Sequence, residues 1–260
     1  PTTRPLGDIL RERFAEITAM DRSIGTLREF LKKKALRDNT LLWYCGDNGT
    51  PGDGIVTSPL RGHKGQMYDG GIRVPGVIEW PAVIQRQITS DVNAVTSDIL
   101  PTLCEITGTA LPKRPLDGIS LTGLFDSTLT QRSSPIFFWQ FNSKADQQNQ
   151  PWIARPHQIG TTPLVKMMGD IYTRNFVNHK HPNIVESDYS GSRVMLLQDY
   201  KLVVTGNGDG QKSELFEVPQ DIAEEHNLAT QNPDVVQSMA ESLRNWQESV
   251  LKSLTGADYK

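Results

Sequence analysis

The sequence predicts an α/β protein whose second half is a small antiparallel sheet with one packed helix. Three observations lead there. Apolar residues at helical spacing fill residues 6–36, and a short apolar run without alternation, Thr40 to Cys45, follows at once. A helix that runs into a strand apolar on both faces suits a sheet layered with helices, its strands parallel. From Arg193 onward, three short strands separated by turns precede a final amphipathic segment.

Within residues 6–36, Leu10, Phe14, Ile17, Met20, Ile24, Leu27 and Leu31 recur at steps of three and four, which places them on one helix face. Lys32, Lys33 and Lys34 suit the negative pole of that helix and are read as a solvated charge run. Asp38-Asn39 turns the chain into the strand Thr40–Cys45. Ile72 to Trp80 reads as a second strand, broken by Pro75, and Asn93-Ala94-Val95 as a short third. Ser97-Asp98 is placed to cap a helix that carries Pro101 in its first turn and ends before Gly108. Residues 141–192 are polar, rich in Gln and Asn, interrupted by prolines and without a period; they read as long loops. Val194–Leu197 and Lys201–Val204 form a predicted hairpin, and Leu215–Val218 a third strand. Asn232-Pro233 opens the last helix, with Val236, Met239, Leu243, Trp246, Val250 and Leu254 on its apolar face.

The bulk numbers exclude more than they assign. With 260 residues, 37% apolar, 22% charged and a net charge of −3, the chain is long enough for one large or two small domains. That charge balance offers no electrostatic reason to bind nucleic acid or an anionic membrane. No apolar run approaches the ~20 residues of a membrane-crossing helix. The first residues, Pro1-Thr2-Thr3-Arg4, show neither an initiator Met nor a signal peptide, and a fragment or processed chain is expected. The two cysteines, Cys45 and Cys104, make no disulfide framework, and Cys45 in its apolar run is expected to be a buried free thiol.

Candidate chemistry concentrates after the first strand. Asp47 and Asn48 stand at its carboxyl end, the edge where open α/β sheets bind ligands. A carboxylate and an amide oxygen are hard ligands suited to Ca²⁺ or Mg²⁺. Asp-Asn-Gly is equally a favoured turn sequence, so these residues alone leave both readings open. Gly62-His63-Lys64-Gly65 then presents an ammonium on a flexible loop, suited to a tetrahedral oxyanion. His63 is a candidate ligand, proton carrier or loop surface residue, and is read as a surface residue or one supporting the substrate site. Asp69 and Arg73, four apart, are read as a structural ion pair, with contact of Arg73 to an anion as the alternative.

The stretch "CGDNGTPGDG…LRGHKGQMYDGGIRVPGVIEWP" resembles the second signature region of the type I, formylglycine-dependent sulfatases, members of the alkaline phosphatase superfamily. "AEITAMDRSIGTLREFLKKKALRDNTLL", "TSDILPTLCEITG", "LDGISL" and "RVMLLQDYKLVV…ELFEVPQDIAEEHNLA" resemble further landmarks of that family, in the same order. The resemblance covers nearly the whole chain apart from about 141–192, and it is to the carboxyl-terminal half of a sulfatase. It implies part of an alkaline-phosphatase-like mixed or parallel sheet sandwiched by helices (residues 1–134) and a smaller subdomain (residues 135–260). It also implies that Asp47 and Asn48 are two ligands of a divalent cation, usually Ca²⁺, and that Lys64 contacts the substrate's sulfate group. Asp69 stands where the family usually has Glu, the same charge with a shorter reach.

The family's nucleophile is a formylglycine made in a Cys/Ser-x-Pro-x-Arg motif, and neither Cys45, Cys104 nor Ser58 has that context. No catalytic residue is therefore assigned in this chain, and the nucleophile is expected in an N-terminal half of the same protein. Without that half, the strand 40–45 should keep an exposed edge and an uncovered apolar face, and the 260 residues alone should be inactive and poorly stable. His157, His179 and His181 fall in the irregular segment that in this family often borders the pocket mouth; a plain surface loop is the alternative. His226 is read as structural. The resemblance further implies a sulfated small molecule or glycan as substrate and a secreted, periplasmic or lysosomal location. Two other readings compete: a phosphomonoesterase, phosphodiesterase or phosphonate hydrolase of the same superfamily, and a non-catalytic carbohydrate-binding remnant.

Overall fold

A computed structural model describes residues 5–55, 58–141, 183–206 and 208–259. His157, His179 and His181 lie outside the described residues. Helix α1 spans Leu6–Lys33 and leads through a single turn of 3₁₀ helix (Arg37–Asn39) into β1, Leu42–Cys45. A short helix α2, Asp69–Ile72, precedes β2, Gly76–Glu79. Strands β1 and β2 pair antiparallel, with Leu42 opposite Glu79 and Cys45 opposite Gly76. The parallel pairing expected from the apolar run is corrected here. The 46–75 segment folds back on itself, Gly46 N–H donating to Pro75 O (3.1 Å), so β2 starts beside the end of β1 and runs back along it.

The expectation of a strand buried on both faces also fails. Leu42, Trp43 and Tyr44 are half-buried and Cys45 is exposed, so Cys45 is not the buried thiol predicted; Cys104 is the buried one. Among the described residues β1 has one strand neighbour, and its other edge is open. The apolar face of α1 is likewise uncovered: Phe14, Ile17, Met20 and Leu27 are exposed, and only Ile9 is buried. Ion pairs tether this helix instead. Arg13 pairs with Asp53, and Arg28 Nε reaches Glu79 Oε2 at 2.7 Å.

Arg37 Nη2 joins Glu79 from the other side at 2.7 Å. Burial by itself would raise the Glu79 pKa, but the hydrogen bonds and charges of Arg28 and Arg37 outweigh it and hold the carboxyl below its usual range. A folded-state pKa below the unfolded value stabilises the fold above the unfolded pKa and ceases to do so as pH falls through the folded one. The expected result is a contribution of about 1 kcal/mol or less, given the partial exposure, present at neutral pH and absent in strong acid. Melting curves of the intact protein and its Glu79→Gln variant should therefore differ near pH 6 and converge towards pH 3.

Helix α3, Ile99–Thr107, ends where Gly108 takes a left-handed φ of 65°, as its sequence predicted. Asp98, fully buried, does more than open this helix. Its carboxylate accepts from Arg132 (2.7 and 3.0 Å), from Val95 N–H (2.8 Å) and from Ile119 N–H (2.8 Å). Residues 93–95 form no strand, contrary to expectation, and the Val95 N–H is given to Asp98 rather than to a neighbouring strand.

The second half is a four-stranded antiparallel sheet in the order β3-β4-β5-β6: Ile136–Trp139, Arg193–Leu197, Tyr200–Thr205 and Lys212–Glu217. Helix α4, Pro233–Leu254, packs on one face, where Met195, Leu202, Val204 and Leu215 meet Met239 and Leu243. Phe137 of β3 stacks on Trp246 at 4.8 Å between ring centroids. The buried line of α4 runs through Met239, Leu243, Gln247 and Leu251, the last two one position on from the predicted Trp246 and Val250. Because residues alternate along a strand, Lys201 and Val203 of β5 point to the opposite face. There Val194, Val203 and Phe216 pack against Met67, Tyr68 and Ile72, so the small sheet rests directly on the loop before β2.

Candidate active site

Three loops meet at the carboxyl end of β1. The first, Gly46–Thr50, carries Asp47 and Asn48; the second, Arg61–Met67, carries Lys64; the third is the α2 turn, Asp69–Ile72. The α2 turn joins the other two through backbone hydrogen bonds. Gly49 N–H donates to Gly71 O (2.9 Å) and Thr50 N–H to Gly70 O (3.1 Å). Thr50 O in turn accepts from Lys64 N–H (2.7 Å), and Gly70 N–H donates to Arg61 O (2.7 Å). This backbone bridge sets the spacing between the Asp47-Asn48 pair and Lys64.

Such close approach of three backbones explains the glycines. A Cβ on Gly49 would lie 1.9 Å from Gly70 O, one on Gly70 2.3 Å from Gly62 O, and one on Gly71 2.2 Å from Gln66 O. Each of those neighbours is main chain and has no side-chain freedom with which to yield. Asp47 and Asn48 lie in a bend in which no residue of Gly46–Gly49 is left-handed, so close backbone approach rather than turn conformation is what requires Gly49.

Asp47 is exposed, and Asn48 is half-buried with its amide nitrogen donating to Gly49 O at 3.0 Å. That bond leaves the Asn48 amide oxygen as the end able to face a cation. A carboxylate and an amide oxygen are the right donor chemistry for Ca²⁺ or Mg²⁺, and two ligands are fewer than the six to eight that Ca²⁺ takes. Among the described residues there is no cluster of three or more His, Cys, Asp or Glu that completes the shell. Lys64 is exposed, and no carboxylate lies within ion-pair distance of it among the described residues. His63 Nδ1 lies 3.0 Å from Lys64 O, and its ring packs over Gly52, so it braces the loop from the side.

Asp69 behaves differently from its sequence reading. It does approach Arg73 (3.6 Å), as expected of residues four apart, but its nearest partner is Lys201 Nζ at 2.5 Å. Lys201 is completely buried and also lies 2.7 Å from Glu224 Oε1, an ionic contact rather than a well-directed hydrogen bond. Glu224 Oε2 accepts the Asp69 N–H at 2.7 Å. Burial pushes the Glu224 carboxyl above the ordinary range, against the opposing pull of Lys201. Arg61 extends the cluster. It donates to Glu224 O (2.9 Å) and Glu214 Oε1 (3.1 Å) and lies over the Tyr68 ring, 3.8 Å from its centroid. Tyr68 donates to Glu214, and burial with that carboxylate pushes its pKa up to about 12, so it remains a donor at neutral pH. Sequence reasoning missed Lys201, Glu224 and Arg61; a lysine in the middle of an apolar strand was the one available signal. His226, exposed beside Asp221 at 3.4 Å, lies outside this cluster.

Comparison with known proteins agrees with this architecture. The α/β part joined to a small antiparallel sheet with a carboxyl-terminal helix is an alkaline-phosphatase-like fold, shared with solved structures. The solved structure of BT4656 in complex with its substrate D-glucosamine-2-N,6-O-disulfate superposes with a TM-score of 0.59 at 18% identity, over 91% of this chain and 40% of that one. The Sulfatase family model matches residues 2–109. Arylsulfatase A of Homo sapiens is 33% identical over 52% of this chain and 26% of its own length. A sulfatase of Formosa agariphila is 26% identical over 89% of this chain and 38% of its own length. Over residues 2–109 the chain is similar to the sulfatases, and it spans well under two thirds of the length of these relatives.

Proposed function

We propose that the intact protein containing this chain is a sulfatase that hydrolyses a sulfated sugar or an aryl sulfate. The observation that carries this reading is the backbone bridge, which holds a hard-ligand pair, Asp47 and Asn48, in register with an unpaired ammonium, Lys64. The chemistry of a sulfate ester asks for that pairing. As the S–O bond breaks, negative charge develops on the sulfate oxygens, and preorganised cationic groups stabilise it without reorganising. Lys64 would bind one such oxygen. Asp47 and Asn48 would hold Ca²⁺, which when bound supplies Lewis-acid stabilisation of the same charge. The named substrates of two relatives, an aryl sulfate by name and a sulfated glucosamine, support the substrate class.

The nucleophile lies beyond these residues on this reading, so residues 1–134 form a portion of the catalytic domain and 135–260 a subdomain against it. His63, His157, His179 and His181 remain candidates for contact with the substrate. A secreted, periplasmic or lysosomal location accompanies the assignment, and no helix among the described residues is long and apolar enough to cross a membrane.

The test is turnover of an aryl sulfate, an aryl phosphate and an aryl phosphonate by the intact protein, with and without chelator, beside mass mapping of its nucleophile peptide. Sulfate turnover that is lost on chelation and restored by Ca²⁺, with formylglycine present, is expected. Preference for phosphate or phosphonate with an unmodified Ser or Thr would replace this reading with phosphoryl chemistry. Calcium-dependent sugar binding without turnover would replace it with a binding role. The 260 residues alone are expected to be inactive in the same assay.

A further inference from the structure

We propose that Lys201 is a positioning residue for the active site: through Asp69 it anchors the α2 turn that spaces Lys64 from Asp47 and Asn48. The proposal rests on the sulfatase reading for its kinetic consequence but not for its structural one. Lys201 sits on the central part of the small sheet, completely buried, on the face that meets the loop before β2. Its ammonium bridges Asp69 Oδ1 (2.5 Å) and Glu224 Oε1 (2.7 Å), while Glu224 Oε2 holds the Asp69 backbone N–H (2.7 Å). Asp69 is thereby gripped at both its side chain and its main chain. The two residues after it, Gly70 and Gly71, are the ones whose carbonyls bind Thr50 and Gly49. Anchor, turn and both functional loops form one continuous chain of hydrogen bonds.

Stability alone is a poor reason for this construction. A buried ion pair is often no more stabilising than a well-packed apolar substitute, whereas removing a single partner strands a buried charge. What the charged triad provides beyond packing is direction: the Asp69 carboxylate is drawn to one point, and the turn behind it is held in register. A shift of about 1 Å in a group that contacts the transition state can cost about 10²-fold in rate.

Two variants of the intact protein separate positioning from mere support. Lys201→Met strands the two carboxylates and should lower both melting temperature and kcat. The neutral combination Lys201→Met, Asp69→Asn and Glu224→Gln removes the stranded charge while keeping the volume. It should melt near the parent, yet keep kcat about 10- to 100-fold low with KM changed by less than about threefold. Amide hydrogen exchange reads the anchor without reference to turnover. In the neutral combination, Gly49, Thr50 and Lys64 should lose protection while Leu202 and Val203 keep theirs. Parent-like protection at Gly49, Thr50 and Lys64 in that variant would overturn the proposal, whatever the activity. So would recovery of parent kcat. A parent protein without sulfatase turnover would overturn the functional reading alone, and the exchange result would still decide the role of Lys201.

Discussion

Lys64→Ala in the intact protein is expected to lower kcat/KM for an aryl sulfate by about 10²–10³, equivalent to about 2.7–4 kcal/mol of transition-state stabilisation. The size follows from the kind of interaction removed. Lys64 is exposed on a loop whose backbone is held by Thr50, so truncating its side chain removes a charge without opening a cavity. Melting temperature should therefore stay at the parent value. On the proposed function the loss should fall mainly on kcat, because the charge that Lys64 would meet is greatest when the S–O bond is breaking. Lys64→Arg should recover only part of the activity, since a planar guanidinium presents its donors in a different geometry from a compact ammonium. Parent kinetics in Lys64→Ala would remove this residue from the site.

Gly49→Ala should have the second large effect, and by a different route. The added methyl would lie 1.9 Å from Gly70 O, 2.6 Å from Gly70 C and 2.8 Å from Gly71 Cα, all main-chain atoms. The overlap can be relieved only by moving the Asp47-Asn48 loop away from the α2 turn. That movement breaks the bonds from Gly49 N–H to Gly71 O and from Thr50 N–H to Gly70 O. A cost of about 1–3 kcal/mol in stability is expected, as for other overpacked sites. Turnover should fall by about 100-fold or more, because the cation ligands and Lys64 lose their common reference. A calcium titration of activity should show weakened half-saturation as well. Unchanged calcium dependence with lowered stability would mean that the bridge serves the fold and not the site.

Lys64 and Asp47-Asn48 were legible in the sequence because each is announced by its immediate neighbours. Glycines bracket Lys64, and a short apolar strand stops dead at Gly46-Asp47-Asn48-Gly49. Helix α3 was legible for the same reason, its Gly108 stop being a local conformational demand. The anchor was not legible. Lys201 is 132 residues from Asp69, and although a lysine within an apolar strand is a signal, nothing near it names the carboxylates it meets. Strand β3 was missed because Ile136–Trp139 is a short run whose strand partner, β4, lies far along the chain beyond a polar segment. Cys45 was misjudged because an apolar run says that a strand is suited to burial, not that something covers it.

The sequence by itself determined most of the elements, the sulfatase-like signature and the candidate site residues, since all of these depend on spacing over a few residues and on backbone demands made locally. Only the tertiary structure decided how those residues are held: which strand meets β1, which face of α1 stays open, and which buried cation grips Asp69. Those outcomes depend on the balance between burying a charge and pairing it, and that balance is struck between segments far apart in the chain, where no local pattern records it.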